Sequence, residues 1–231
     1  MNTFSKKKEL IDLVILAGGK GARLGKITNN IPKPIIRINN KPFLDYLLNH
    51  ASKFSFRKIF LMAGYKGKHI NKLYNKKNIN QIKIECIVEK KPLGTGGCLS
   101  LLKKKIKNNF LVINGDTYFP INYNKFIKKI KKDEAILALT NNNSYKANKK
   151  LTNLSCKKFV FHNKNSDYFN AGVYFFNRNF LDTIEEKKLS LEKIVNDMIK
   201  NKKVLGKKFE ETFIDIGTKA NLKRSKFILK L

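Results

Sequence analysis

Four of the chain's 13 glycines, Gly18, Gly19, Gly21 and Gly25, fall within the stretch LVILAGGKGARLGK (13–26), interleaved with Lys20, Arg23 and Lys26. An apolar run that ends in bare backbone and cations suits an anion. Glycine lets N–H groups close on phosphate oxygens, and the side chains offset the charge. Acids are scarce, 17 Asp and Glu against 49 Lys and Arg, so an aspartate at the carboxyl end of an apolar run stands out. Asp116 in FLVINGDT (110–117) and Asp215 in FIDIGT (213–218) both hold that position. Taken singly, either aspartate also fits a turn or a helix cap, and the glycine loop alone fits a turn with surface lysines. No Ser or Cys stands beside a His in a recognisable pattern. His50, His69 and His162 are scattered without zinc spacing, and so are Cys86, Cys98 and Cys156.

Two familiar phosphate loops fit poorly. The Walker pattern G-x-x-x-x-G-K-[ST] is one residue short between Gly21 and Gly25-Lys26, and Ile27 takes the Ser/Thr place. The dinucleotide pattern G-x-G-x-x-G must open a crossover helix and be followed by an acid after the second strand. Here Leu24 takes the third glycine's place, and Pro32 and Pro34 would break that helix. Gly64 and Tyr65, not an acid, follow the second apolar run.

The elements that must carry these residues alternate. Short apolar runs predict strands at 13–18, 58–64, 82–89, 110–115, 135–140, 157–161, 172–176 and 211–217. Helical spacing is read at 43–54, 97–106, 124–132, 190–200 and 218–229. This order predicts an α/β fold with a mainly parallel sheet and helices on both faces, where ligands bind at the carboxyl ends of strands. The polar stretch 140–158 reads as a loop or irregular hairpin.

A length of 231 residues suits one domain over 1–231 with a core that needs no staples. Three distant cysteines read as reduced thiols in a cytoplasmic protein. The apolar stretch near the N-terminus, Leu13 to Ala17, is too short for a signal peptide or membrane span, so no membrane insertion is expected. The formal charge of +32 is almost all lysine, spread along the chain with Asn and Ile, as in NKKNINQIKI. This reads as compositional drift on solvated faces, with no specific nucleic-acid partner. A polyanion or membrane-surface role is the alternative.

The whole set of motifs resembles one family. LAGGKGARL followed by PKP (32–34) resembles the signature of the sugar-1-phosphate nucleotidyltransferase superfamily, L-A-G-G-x-G-T-R-L and then P-K-P. The resemblance implies that Leu16, Ala17, Gly18, Gly19 and Gly21 wrap a nucleoside triphosphate whose phosphates are held by Arg23 and Lys33. Ala22 stands where Thr is usual, which removes a hydroxyl that can contact phosphate. VEKKPLGTGG (88–97) is similar to the family's segment over the nucleobase, implying Glu89, Pro92, Gly94 and Thr95 there. Gly96 and Gly97 would add backbone donors, and Glu89 would accept from a base amino group. Asp116 and Asp215 fall where the family holds Mg2+, and two carboxylates with phosphate oxygens suit that ion.

On the sugar side, YFNAGVYFF (168–176) resembles the family's N-A-G-[IV]-Y segment. It implies Asn170 as a hydroxyl contact and Gly172 as room for the sugar, with Gly115 alongside. FHNK (161–164) aligns with F-x-E-K, so Lys164 would hold the sugar phosphate, while Asn163 replaces the usual Glu. Tyr145 is followed by Lys146 where Tyr-Gly is usual. The implied fold is the Rossmann-like, GT-A-like mixed sheet. About 12–120 would form a nucleotide-binding half and about 121–222 a sugar-phosphate half, with no β-helix domain.

The implied reaction is in-line attack of a sugar 1-phosphate oxygen on the α-phosphorus, with pyrophosphate leaving. Arg23, Lys33, Asp116 and Lys164 would form the catalytic set. KPFLDYLL (41–48) and MAGYKGKHI (62–70) look most like the D-glycero-α-D-manno-heptose 1-phosphate guanylyltransferases, which implies GTP, that heptose phosphate and a product destined for surface polysaccharide. Mannose or glucose 1-phosphate with another nucleotide stays open, as do a non-catalytic sugar-nucleotide sensor and a homodimer.

Overall fold

The computed structural model describes residues 10–141 and 153–229. In chain order the elements are β1 (Ile11–Leu16), β2 (Arg37–Ile38), β3 (Lys41–Pro42), α1 (Phe43–Ala51), β4 (Phe56–Ala63), α2 (Gly67–Tyr74), β5 (Asn78–Ile79), β6 (Ile82–Val88), the single turn α3 (Gly94–Gly97) and β7 (Phe110–Asn114). There follow β8 (Thr117–Tyr118), α4 (Tyr123–Phe126), β9 (Ala135–Thr140), β10 (Leu154–Cys156), β11 (Val160–His162), β12 (Phe169–Phe176), α5 (Leu191–Lys200), β13 (Val204–Lys208), β14 (Ile214–Asp215) and α6 (Lys219–Ile228). Eight strands form one sheet in the order β13-β9-β12-β7-β1-β4-β6-β5. It is mixed, because β12 runs antiparallel to both neighbours and β5 antiparallel to β6, while the other pairings are parallel.

The apolar runs are unbroken because both sheet faces are covered. Along β1, Leu13 and Ile15 point into a core shared with α1, α2 and α6, while Val14 and Leu16 point into a second core shared with residues 98–102 and α5. In α1, Phe43, Leu44, Leu47, Leu48 and Ala51 are buried in the first of these cores. Each large side chain there contributes about 1.5–3 kcal/mol. Helix α5 lays Leu191, Val195 and Ile199 on the other face. Its first turn is capped by Ser190, whose Oγ accepts from Lys193 N at 3.3 Å. Among the described residues Lys33 is the one buried lysine, so the excess charge lies on solvated faces.

Several elements differ from the sequence reading. The helix expected over 124–132 is only the single turn α4, and the chain extends from Ile127. Lysines at 125, 128, 129 and 132 would repel along a helix face, and burial of Phe126 and Ile130 draws the extended chain inward. The helix expected at 97–106 becomes α3 and a 3-10 turn at Cys98–Leu102. The strand expected at 211–217 is the two-residue β14, paired with β8 outside the main sheet. The edge strand β13, with its lysines and Gly206, lacks the apolar signal that would have marked it, and α2 carries apolar helical spacing only at Ile70, Leu73 and Tyr74, within eight residues. The described part of 140–158 includes β10, which forms a hairpin with β11; 142–152, with Tyr145 and Lys146, lies outside the described residues.

Candidate active site

The parallel register places the carboxyl ends of three strands together. Leu16 pairs with Met62 of β4 and with Asn114 of β7, so the segments that follow share one edge of the sheet. The glycine loop leaves β1 there. Ala17 N donates to Met62 O at 2.9 Å, and Tyr65 N to Gly18 O at 3.0 Å. Gly21, at φ 67°, turns the chain into 3-10 turns at Ala22–Thr28. Leu24 is fully buried and anchors them, and Thr28 Oγ1 donates to the carbonyls of Gly21 and Gly25 at 3.2 Å each. Leu24 thus has a packing role where a dinucleotide loop would need glycine.

A cleft of about 410 Å³ opens over this edge. Of the residues expected at a nucleotide, Leu16, Gly18, Gly19, Glu89, Pro92, Gly94 and Thr95 line it. Tyr65, Cys98 and Lys188 line it too, and the sequence reading missed them. Tyr65 is flanked by Lys20 and Lys66, whose Nζ atoms lie 5.9 and 5.8 Å from its ring centre.

The carboxylate of Glu89 is partly committed to the loop itself. Its Oε2 accepts from Leu93 N at 2.9 Å, and its Oε1 would lie 2.8 Å from a β-carbon on Gly18. Burial pushes its pKa up, against that N–H bond. The expectation that Gly96 and Gly97 turn their backbone donors to a base is corrected, because both donate to Leu189 O, at 2.9 and 3.4 Å. Leu189 N returns a bond to Leu93 O at 2.9 Å. A β-carbon on Gly97 would run into Lys187 O. These glycines therefore admit the segment 187–191, from which Lys188 reaches the cleft lining from far along the chain.

Past Leu16, Gly19 and Thr95 the cleft adjoins a recess of about 110 Å³, lined also by Lys33, Asn114, Gly115, Asp116 and Glu192. Lys33, held in a 3-10 turn at Lys33–Ile35, keeps only 6% of its side chain exposed. Its Nζ lies 2.5 Å from Asp116 Oδ2 and 4.0 Å from Asp215 Oδ1. The pairing of β14 with β8 brings the second aspartate in, with Asp215 opposite Thr117 and Ile216 N donating to Asp116 O at 3.0 Å. Burial opposes the charge of Asp116, but the Lys33 ammonium outweighs it and holds the carboxyl below its usual range. Burial and then the charge of Asp116 push Asp215 up, against Lys33, the Gly217 N–H and Arg23. Arg23 is exposed, with its Nη2 against Gly217 at the side of this pair rather than in the cleft lining.

The sugar-side residues are placed differently from the reading. Gly172, at φ +71°, does not leave room for a ligand, because the side chain of Asn114 fills that space, 2.5 Å from where a β-carbon would sit. Asn170 is buried with its amide committed, Nδ2 to Tyr174 Oη at 2.9 Å and Oδ1 from Gly172 N at 2.8 Å. Both residues shape the irregular stretch of β12 behind Asn114. Lys164 is exposed in the turn after β11 and lines neither cavity. Asn163 secures that turn, with Nδ2 to Ser155 Oγ and Oδ1 from Asn165 N, both 3.1 Å. Glu192, which the sequence reading passed over, lines the recess instead. Its only mark in the sequence is its place two residues after a helix-capping Ser.

A mixed α/β sheet with a glycine loop, a lysine and two aspartates gathered at strand ends defines a class of nucleotide-handling proteins. The chain belongs to the nucleotidyl transferase family, whose model matches residues 13–229. It is 35% identical over 211 residues to D-glycero-α-D-manno-heptose 1-phosphate guanylyltransferase of Campylobacter jejuni, covering 88% of this chain and 93% of that one. Identity to the protein of the same name from Aneurinibacillus thermoaerophilus is 29% over 215 residues, covering 90% and 93%. The crystal structure of HddC from Yersinia pseudotuberculosis, also solved in complex with GMP-PN, superposes with a TM-score of 0.74 at 28% identity, over 96% of this chain and 100% of that one.

Proposed function

We propose that this protein joins a nucleoside triphosphate, GTP by preference, to D-glycero-α-D-manno-heptose 1-phosphate, giving the nucleotide sugar and pyrophosphate. The observation that carries this reading is the adjoining of a nucleotide-sized cleft and a small charged recess that share Leu16, Gly19 and Thr95. The cleft takes the base and ribose. The recess takes the α-phosphate and the incoming sugar phosphate. That phosphate is already ionised, so attack on the α-phosphorus needs no general base. The protein must bring two polyanions into line and offset their repulsion. Lys33 does so from inside the recess and Arg23 from its exposed side, while the glycine loop gives backbone N–H groups to the phosphates. Lys188, in the segment seated on Gly96 and Gly97, lines the cleft, so residues from both the nucleotide-binding half and the sugar-phosphate half contribute to it.

The pair Asp116 and Asp215 fits Mg2+. Both are hard oxygen donors, and the mutual repulsion that helps push Asp215 up is what a divalent cation relieves. No group of three or more His, Cys, Asp or Glu gathers among the described residues, so substrate oxygens and water would complete the shell. Bound there, the ion would help neutralise the charge on the transferring phosphoryl group. The reaction is placed in the cytoplasm, where nucleoside triphosphates are available. Among the described residues no helix is long and apolar enough to cross a membrane.

The test is pyrophosphate release with Mg2+, crossing GTP, CTP, UTP, dTTP and ATP with heptose, mannose and glucose 1-phosphates. A GTP-plus-heptose signal that Asp116→Asn removes is the expected result. Silence across the panel from folded protein that still binds GTP by calorimetry would mark a sensor and overturn the reading.

A further inference from the structure

We infer that Glu192 is the carboxylate that receives sugar hydroxyl groups and so selects which sugar 1-phosphate is accepted; this rests on the nucleotidyl-transfer reading of the same cleft. Sugar hydroxyls are donors, and a fixed carboxylate is a strong acceptor for them. The carboxylates lining the recess are Asp116 and Glu192. Asp116 is engaged by Lys33 at 2.5 Å. Glu192 is held in another way. Its Oε2 takes two hydroxyl bonds, from Thr95 Oγ1 at 3.1 Å and from Ser190 Oγ at 2.7 Å. Its Oε1 has no hydrogen-bond partner among the described residues. One oxygen sets the orientation and the other is left for a ligand, on the wall of the recess that holds Asp116.

Two other polar residues of this side are less suited. The amides of Asn163 and Asn170 are bonded to their own surroundings. Glu192 also lies in the first turn of α5, where a negative charge steadies the helix dipole. That role alone does not account for Thr95. Thr95 Oγ1 accepts from Leu191 N at 2.9 Å and donates to Glu192, tying the carboxylate to the glycine segment of the nucleotide cleft. The acceptor for the sugar is thus oriented by a residue that lines the nucleotide's own cleft.

The test compares wild type, Glu192→Gln and Glu192→Asp by pyrophosphate release with GTP. The acceptors are heptose 1-phosphate, mannose 1-phosphate and the monodeoxy analogues of each. Glu192→Gln keeps acceptors for Thr95 and Ser190 but loses the charge. It should raise the KM for sugar phosphate on the order of 10–100-fold, with GTP affinity by calorimetry and Tm close to wild type. The wild-type loss on removing one particular hydroxyl should shrink in the variant, since variant and analogue remove the same contact. An unchanged sugar KM, or an equal loss of GTP affinity and Tm, would overturn the inference and leave Glu192 as helix and loop support. A wild type silent on every sugar phosphate would overturn the nucleotidyl-transfer reading itself, and the inference with it.

Discussion

Lys33 and Asp116 are joined in a direct ion pair, Nζ to Oδ2 at 2.5 Å, and Asp215 stands 4.0 Å from the same ammonium. Burial and then the charge of Asp116 make Asp215 hard to ionise, against Lys33, the Gly217 N–H and Arg23. Asp116→Asn should lower pyrophosphate release about 100–1000-fold. Circular dichroism should show the fold intact. Retention of near-normal turnover would remove Asp116 from the machinery.

Chelation of divalent cations should stop turnover, and added Mg2+ should restore it. The same titration with Asp215→Asn should need more Mg2+ for half-maximal rate, because one oxygen donor is lost. A metal requirement identical in wild type and variant would separate Asp215 from the ion.

Gly97→Ala forces a β-carbon into Lys187 O. Overpacking of this kind costs about 1–3 kcal/mol. Urea unfolding should show that loss, and GTP affinity should fall because residues 94–97 move from their seat under Leu189. Gly19, with nothing within 4 Å of a β-carbon, should tolerate Ala without loss of stability.

His50 is a core residue rather than a ligand. Its Nε2 lies 3.0 Å from Ile121 O, among Phe54, Tyr118 and Tyr123. Burial pushes its pKa below 6.5, with a further push from the Lys53 charge, against the bond to Ile121 O. The folded state therefore takes up this proton later than the unfolded chain. Stability is full above the unfolded pKa of about 6.5 and declines as pH falls from there towards the folded pKa. Tm measured from pH 7 to 5 should fall with a steeper slope in wild type than in His50→Gln.

Burial raises the pKa of all three thiols, that of Cys86 to about 12. Native protein at pH 8 should react slowly with a thiol reagent, Cys98 least of all since it is buried in the cleft floor. Guanidinium should release three equivalents at once. Fast labelling of Cys98 in the folded protein would contradict its placement.

The strands of the sheet centre were legible because both faces are buried and the runs 110–114 and 135–140 carry no charge. The glycines that line the cleft were legible for a related reason, since bare backbone at a strand end leaves a mark in residue identity. The surroundings of β12 and α5 were not. Gly172 looked like space and is filled by Asn114, a neighbour 58 positions earlier that no local pattern reveals. Glu192 reads locally as a helix-start acid, and only the fold carries it to Asp116. Strand β13 was missed because an edge strand with Lys207 and Lys208 has no apolar alternation to detect.

The bond from Leu189 N to Leu93 O reaches across 96 positions of the chain. While the protein is being made on the ribosome, the glycine loop and the parallel strands beside it emerge early, yet the wall they need is still untranslated. Residues 94–97 therefore lack their seat until Leu189 has left the exit tunnel, long after the parallel strands beside them have been made.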